Sequence, residues 1–559
     1  MDRRIVLALF LSALVFFVTP ILFPSGEPTP RGGPDTTAVS PPPPPPESLP
    51  TVALPQPTPP AADSAELVIP AADVPVSAET TVVNTARATY RFSSAGASLV
   101  GAEMRMYRNL AHPDAPVELG VPGEALLSYG LVTAVDTVDL RRLQFSLTRE
   151  QREAAEVLVY RAPLAGGEIV IRYAIPHDTA SSYRMTTSGD VRNVEAARHL
   201  LVWLPPTIPT AEADTGDDRR HLAYAFKTRR EGPRSVSFNS LDPGERQLVE
   251  GPHSWAAAKT KYFVVGVLTP ATGDQQFVEA SVTGAPRTQR VATHAIGSVV
   301  QPLRQGAFGF ELYVGPQEWK RLLAVGQDFD QVNPYGWKFM QGIIQPFATV
   351  VMRILLWMRS TLQLSYGWVL VIFGVLVRVV LWPLNQKAMR ASLKMQQLQP
   401  KLAEVQKKYA NNPEKQRTEL MRIYKQEGAS PFTALSGCLP MLLPMPFLIA
   451  LFFIFQNTIE FRGVPFLWLQ DISIKDPYYV LPLFMGISMY FVSWIGLRNA
   501  PPNPQAKMMM YIFPVMMTFF LLNFAAGLNL YYAVQNVATI PQQWLIARER
   551  ARMAAATRT

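Results

Sequence analysis

One arginine sits where a charge is expensive. Arg378 lies in Gly367–Trp382, an apolar stretch with no other charged residue. A guanidinium at mid-span costs ~2.5–3.5 kcal/mol on insertion scales, so it should face a polar cavity or a partner. It stands seven residues from Asn385, about 10 Å along a helix axis, so snorkelling toward headgroups is the competing reading. Pro383 follows and is expected to disturb the helix end. The apolar spans hold no acidic residue to pair with it. Their other polar groups are neutral. Asn529, Tyr532 and Asn536 recur at three and four and so share one helix face. Interhelical hydrogen bonding would explain the amides but leaves the arginine without a counter-ion. An unpaired cation among neutral polar groups points to a wet groove that receives an anionic guest.

A second feature is the basic segment 385–438, with ten Lys/Arg, among them Lys394, Lys401, Lys407, Lys408, Arg417, Arg422 and Lys425. Lys387–Tyr409 reads as a helix with Pro400 as a bend. Asn412, Pro413 and Gly428 suit the cap, first position and C′ end of a second helix. The resulting hairpin is either a solvated face or a docking site for anionic lipid, the ribosome or a targeting factor. Methionines in and beside the spans suit a surface that accepts many apolar partners, or ordinary span filling.

The sequence carries no phosphate-binding glycine loop, no dinucleotide fingerprint, no zinc-protease motif and no nucleophile elbow. The six histidines show no ligand-like spacing, and the one cysteine, Cys438, excludes an internal disulfide. The expectation is a non-enzyme without cofactor or metal.

Positioning these residues requires membrane elements, and the composition, 48% hydrophobic with a net charge of +9, concentrates its apolar residues at both ends. Residues 1–23 read as an uncleaved transmembrane anchor. Residues 24–80, with the run Pro41–Pro46, read as a proline-rich tether. Residues 81–315 hold short β-type runs separated by turns: Thr81–Val83, Ala88–Phe92, Val157–Tyr160, Glu168–Tyr173, Leu200–Leu204, Tyr262–Leu268 and Phe308–Val314. They predict an all-β sandwich. In 316–365, a linker precedes an amphipathic stretch at 339–359 that suits the membrane surface or a packed helix. Five spans are expected in 366–547: Tyr366–Leu384, Leu439–Thr458, Tyr478–Leu497, Met508–Asn523 and Leu528–Ile546. A basic tail, 548–559, follows.

Charge sets the orientation. The 459–477 loop has only Arg462 and Lys475, against ten basic residues in 385–438. The positive-inside rule then puts the basic loop and both termini in the cytoplasm and the β domain outside, as in a bacterial inner membrane.

Several stretches resemble the Gram-negative form of the YidC family of membrane protein insertases, within the Oxa/Alb/YidC superfamily. They are Val375–Leu384, Lys394-Met395, Leu398–Leu402, Glu419–Gly428, Gly437–Pro440, Met445-Pro446, Asp476–Pro482 and Gly527–Tyr532, with Lys261–Phe263 and Leu312–Pro316 in the β domain. The chain departs from the pattern at Ser430-Pro431, where Asn-Pro is usual, in the longer approach Phe432–Ser436, and at Pro444, where glutamine is common. The resemblance implies a periplasmic β-supersandwich and a five-helix insertase core. It maps the family's intramembrane arginine on Arg378, and a tyrosine implicated in substrate contact on Tyr532. The implied partners are nascent membrane proteins, the ribosome and Sec translocon components, with no nucleic-acid recognition beyond the ribosome. A transporter or channel with a periplasmic binding domain is the alternative, but neither repeated broken spans nor paired ionisable groups are evident.

Overall fold

The structure is a computed structural model that describes residues 78–559, apart from 165, 179–182, 195–196, 229–230, 271–275, 288–289, 338, 411, 427–444, 499–503 and 557–559. The anchor, the tether to residue 77, Gly428, Cys438 and the start of the second expected span therefore lie outside the described residues.

All seven expected β runs coincide with strands, with only Leu204 and Tyr262 lying one residue beyond a strand end. Four strands, Thr80–Asn84, Ala88–Ser93, Ser98–Arg108 and Pro116–Glu118, make one antiparallel sheet. The second sheet has fourteen strands. Its main path runs in the order Thr137–Asp139, Ser128–Thr133, Ala197–Trp203, Ala295–Pro302, Phe277–Gly284, Arg246–Lys259, Phe263–Leu268, Ala307–Pro316, Arg184–Arg192, Gly167–Pro176, Ala155–Leu164 and Ser146–Gln151. Ala223–Thr228 and Arg234–Ser237 branch from Arg246–Lys259. In Thr80–Asn84 alternation buries one side of the pleat, only Thr81 and Val83 being buried, whereas Phe263–Leu268 is buried on both sides. The core is rich in aromatic residues, and some of their polar tips are paired inside it while the hydroxyls of Tyr160, Tyr183 and Tyr262 are buried without a partner among the described residues. The Tyr173 hydroxyl donates to the Ala97 carbonyl at 2.7 Å and lies 2.8 Å from that of Tyr129.

Short helix α1 (Thr215–Arg220) belongs to this domain and α2 (Trp319–Val325) ends it. The amphipathic stretch forms α3 (Gln341–Leu362). Its apolar stripe divides. Ile344, Val351, Leu355 and Met358 are buried against the helical core, whereas Ile343, Val350 and Trp357 are exposed.

The next helix differs from expectation. The first expected span and the basic helix expected after it are one element, α4 (Tyr366–Lys408, 43 residues), which continues through Pro383 and Pro400. Each proline removes one backbone donor, but the long apolar and then amphipathic faces stay packed on either side. A second hairpin arm, α5 (Pro413–Gln426), follows. The remaining core helices are α6 (Met445–Asn457), α7 (Val480–Leu497), α8 (Pro504–Leu521) and α9 (Ala526–Ala556). By length and composition α3, α7 and Tyr366–Lys387 of α4 could each cross a bilayer, while Met445–Asn457 and Met510–Leu521 are shorter apolar helices. The α9 helix packs along α4 and α7, and α8 packs on α7.

Candidate functional site

The apolar residues of α4 and α9 bring the two helices together where Gly374 allows close approach. A Cβ there would lie 3.0 Å from the Val534 side chain. The contact positions Arg378. It is buried, 5% exposed, and its Nη2 donates to the Gln542 Oε1 at 2.6 Å. Its Nε is buried without a partner among the described residues. Gln542 is fully buried; its Nε2 donates to the Trp382 carbonyl and the Gln386 Oε1, each at 3.3 Å. One helical repeat earlier, Gln535 Nε2 donates to the Gly374 carbonyl at 2.8 Å and to the Tyr531 hydroxyl at 3.1 Å.

The amides of α9 therefore divide between two faces. Gln535 and Gln542 look toward α4. Asn529 and Asn536 lie roughly 120° away, at ~100° per residue. Asn529 Nδ2 donates to the Leu521 carbonyl at 3.1 Å, and Asn536 Nδ2 to Ser488 Oγ at 3.1 Å and the Met485 carbonyl at 3.3 Å. These two amides join α9 to α8 and α7 and are not hydrogen-bonded to Arg378. The expected neighbours of the arginine are thus displaced by Gln542. The signal that could have found it was the seven-residue repeat of Gln535 and Gln542, offset from the asparagines.

Beside the arginine lies a cavity of about 480 Å³ between α4, α7 and α9, lined by Arg378 with Val375, Trp382, Phe484, Val534 and Val537 among others. Arg378 is the sole charged residue of that lining; the rest is apolar. Tyr532 is half-buried against the apolar core. It projects from the other side of α9, about 150° round from Leu530, Val534 and Val537. The methionines behave mainly as filling: Met485 and Met489 are buried between helices.

The hairpin is held by Leu398 and Leu402 of α4 against Leu420, Ile423 and Tyr424 of α5. Asn412 caps α5, its Oδ1 accepting from the Lys415 amide at 3.1 Å. Lys401, Lys407, Lys408, Arg417 and Arg422 are exposed, with Arg422 3.3 Å from Glu419. Lys394 and Lys425 lie on the same two helices; the placement of their side chains is outside the description.

Sequence reasoning also missed how the core grips the β domain. Loop 459–477 inserts Arg462 into it. Nε donates to Glu212 Oε1 at 2.7 Å, and Nη1 and Nη2 donate to the carbonyls of Arg108 and Ala211, each at 2.9 Å. Both charged side chains are under 10% exposed. Nearby, Glu460 Oε1 accepts the Trp319 amide at 2.9 Å at the start of α2, and its Oε2 is buried without a partner among the described residues. Burial pushes the Glu460 carboxyl up to about 7. Asn457 Nδ2 donates to the Pro334 carbonyl at 3.2 Å. Asp476 ties down the start of α7, accepting the amides of Tyr478 at 3.0 Å and Leu481 at 2.8 Å.

An antiparallel β domain gripped by a helical core with a buried arginine defines a class of integral membrane protein. Two family models match: that of the YidC periplasmic domain over residues 80–350 and that of the 60 kDa inner membrane protein over residues 357–553. The membrane protein insertase YidC of Prosthecochloris aestuarii is 30% identical over 448 residues, 76% of this chain and 74% of that one. The Bordetella avium protein of the same name is 29% identical over 504 residues, 87% and 86% of the two chains. A crystal structure of YidC from Thermotoga maritima aligns with 83% of this chain and 97% of its own at 13% identity, with a TM-score of 0.30. The chain belongs to the YidC family of membrane protein insertases.

Proposed function

We propose that this insertase admits a segment of a newly made membrane protein beside Arg378, attracts its acidic or polar part with the guanidinium, and passes the apolar part sideways into lipid. The observation that supports this is a buried arginine with only a neutral amide as hydrogen-bond partner among the described residues, at the edge of a 480 Å³ cavity. An uncompensated cation in a low-dielectric wall is attractive to any acceptor that can replace its lost hydration. Burial of the substrate span drives insertion, aided by the membrane potential, so no nucleotide is required. In this reading the β domain is periplasmic, both termini are cytoplasmic, and the multi-pass core lies in the inner membrane. The exposed basic hairpin meets the ribosome or anionic lipid, and insertion proceeds alone or beside the Sec translocon.

The test is reconstitution of Arg378→Ala with single-span substrates that differ only in acidic residues of the translocated tail. Insertion of the acidic-tailed substrate should fall about tenfold or more, the equivalent of ~1.4 kcal/mol, with a smaller change for the neutral one. Equal activity on both would favour a snorkelling arginine.

A further inference from the structure

We propose that Gln542 is a positioning residue for Arg378: it holds the guanidinium at the cavity while leaving its charge uncompensated. This rests on the reading above that Arg378 attracts the substrate.

Three features on α9 and α4 carry it. Gln542 is fully buried and uses both ends of its amide across the helix interface. Its oxygen accepts from Arg378 Nη2 at 2.6 Å, and its nitrogen reaches the Trp382 carbonyl, one turn further along the helix that carries Arg378. The arginine is therefore gripped at one nitrogen from a scaffold fixed to its own helix. An arginine side chain has several rotatable bonds and a rim of donors; without such a grip it would swing toward the headgroups. The second feature is the chemistry of the grip. An amide oxygen accepts a hydrogen bond and carries no net charge. A carboxylate at the same place would form a buried ion pair and cancel the attraction. The third is that Nε remains buried and unpartnered among the described residues, so the single amide contact leaves the hydrogen bonding of the guanidinium incomplete.

The decisive comparison uses the purified full-length protein in proteoliposomes, with Gln542→Glu, Gln542→Met and Arg378→Ala against the same acidic-tailed and neutral-tailed substrates. Gln542→Glu keeps the acceptor that faces Arg378 but loses the donor to the Trp382 carbonyl and Gln386, so its melting temperature is recorded beside its activity. Its insertion of the acidic-tailed substrate should drop about tenfold, as for Arg378→Ala, with the neutral-tailed substrate little changed. Gln542→Met should show the same selective loss in milder form. If Arg378→Ala is selective but Gln542→Glu inserts both substrates as the parent does, the positioning role is wrong. Equal losses on both substrates, with or without a lower melting temperature, would also overturn it and leave Gln542 as a packing residue. If Arg378→Ala shows no selectivity, the attraction itself fails, a result separable from the others.

Discussion

At the scale of single residues, α9 shows how much one turn of offset matters. Asn529, Tyr532 and Asn536 form a row in the sequence, yet the partners of the two asparagines are the Leu521 carbonyl on α8 and Ser488 and the Met485 carbonyl on α7. The residue that meets the arginine is Gln542, outside that row. Helical periodicity says which residues share a face, but it does not say which neighbour the face meets. The position of Tyr532 makes this testable. A photo-crosslinker at Val534 or Val537, on the cavity side, and one at Tyr532, about 150° away, sample different walls. If ribosome-bound membrane protein chains use the cavity beside Arg378, Val534 and Val537 should capture them more strongly than Tyr532. Capture confined to Tyr532 would move the substrate path to the opposite face of α9.

At the scale of elements, the strands were legible because short β-branched and aromatic runs between turn residues have few alternatives. The helices were legible as apolar segments but less so at their ends. Pro383 was read as a disturbance of the helix end, whereas α4 runs through it for 43 residues, since packing on both sides outweighs one missing hydrogen bond. Loop 459–477 was the least legible element. Its two cations entered only as a count for orientation, yet Arg462 is buried on Glu212, 250 residues away in the chain. Nothing local in a sequence announces such a pairing. Removing one member of a buried pair strands the other, at ~3–5 kcal/mol. Arg462→Ala should therefore loosen the junction, seen as faster proteolysis between residues 459 and 477 and a lower melting temperature. Joint replacement of Arg462 and Glu212 by leucine should be much milder. Equal damage from the single and double replacements would show that the pair is not what holds the loop.

At the scale of the whole molecule, the junction between the β domain and the core carries buried ionisable groups, and these link its stability to pH. The Glu460 carboxyl rises from 4.5 to about 7 because burial strips its hydration, which outweighs the backbone amides that favour its charged form. A carboxyl whose folded pKa exceeds its unfolded value takes up a proton on folding between the two values. Its contribution to stability is therefore greatest at low pH and is lost as pH rises from about 4.5 to about 7. Glu460→Gln should raise the melting temperature at pH 8, by the equivalent of ~1–3 kcal/mol, and flatten the slope between pH 5 and 7.5. An unchanged slope in the variant would remove Glu460 from the account. The legible part at this scale was the order of parts, strands first and apolar helices after. What lay beyond it was the contact between them, which depends on side chains buried from both sides.

The unbroken α4 has a mechanical meaning. From Arg378 to its end at Lys408 are thirty residues, about 45 Å of rod at ~1.5 Å per residue. Anything that seizes the basic hairpin pulls on a long lever whose short arm holds the guanidinium. Rigid throughout, such a lever would drag Arg378 off the cavity with every swing of its tip. The two prolines give it soft joints, one at Pro400 within the hairpin and one at Pro383, immediately beyond the turn that Gln542 clamps. If the hairpin is pulled, bending at those joints would spare the turn that carries Arg378.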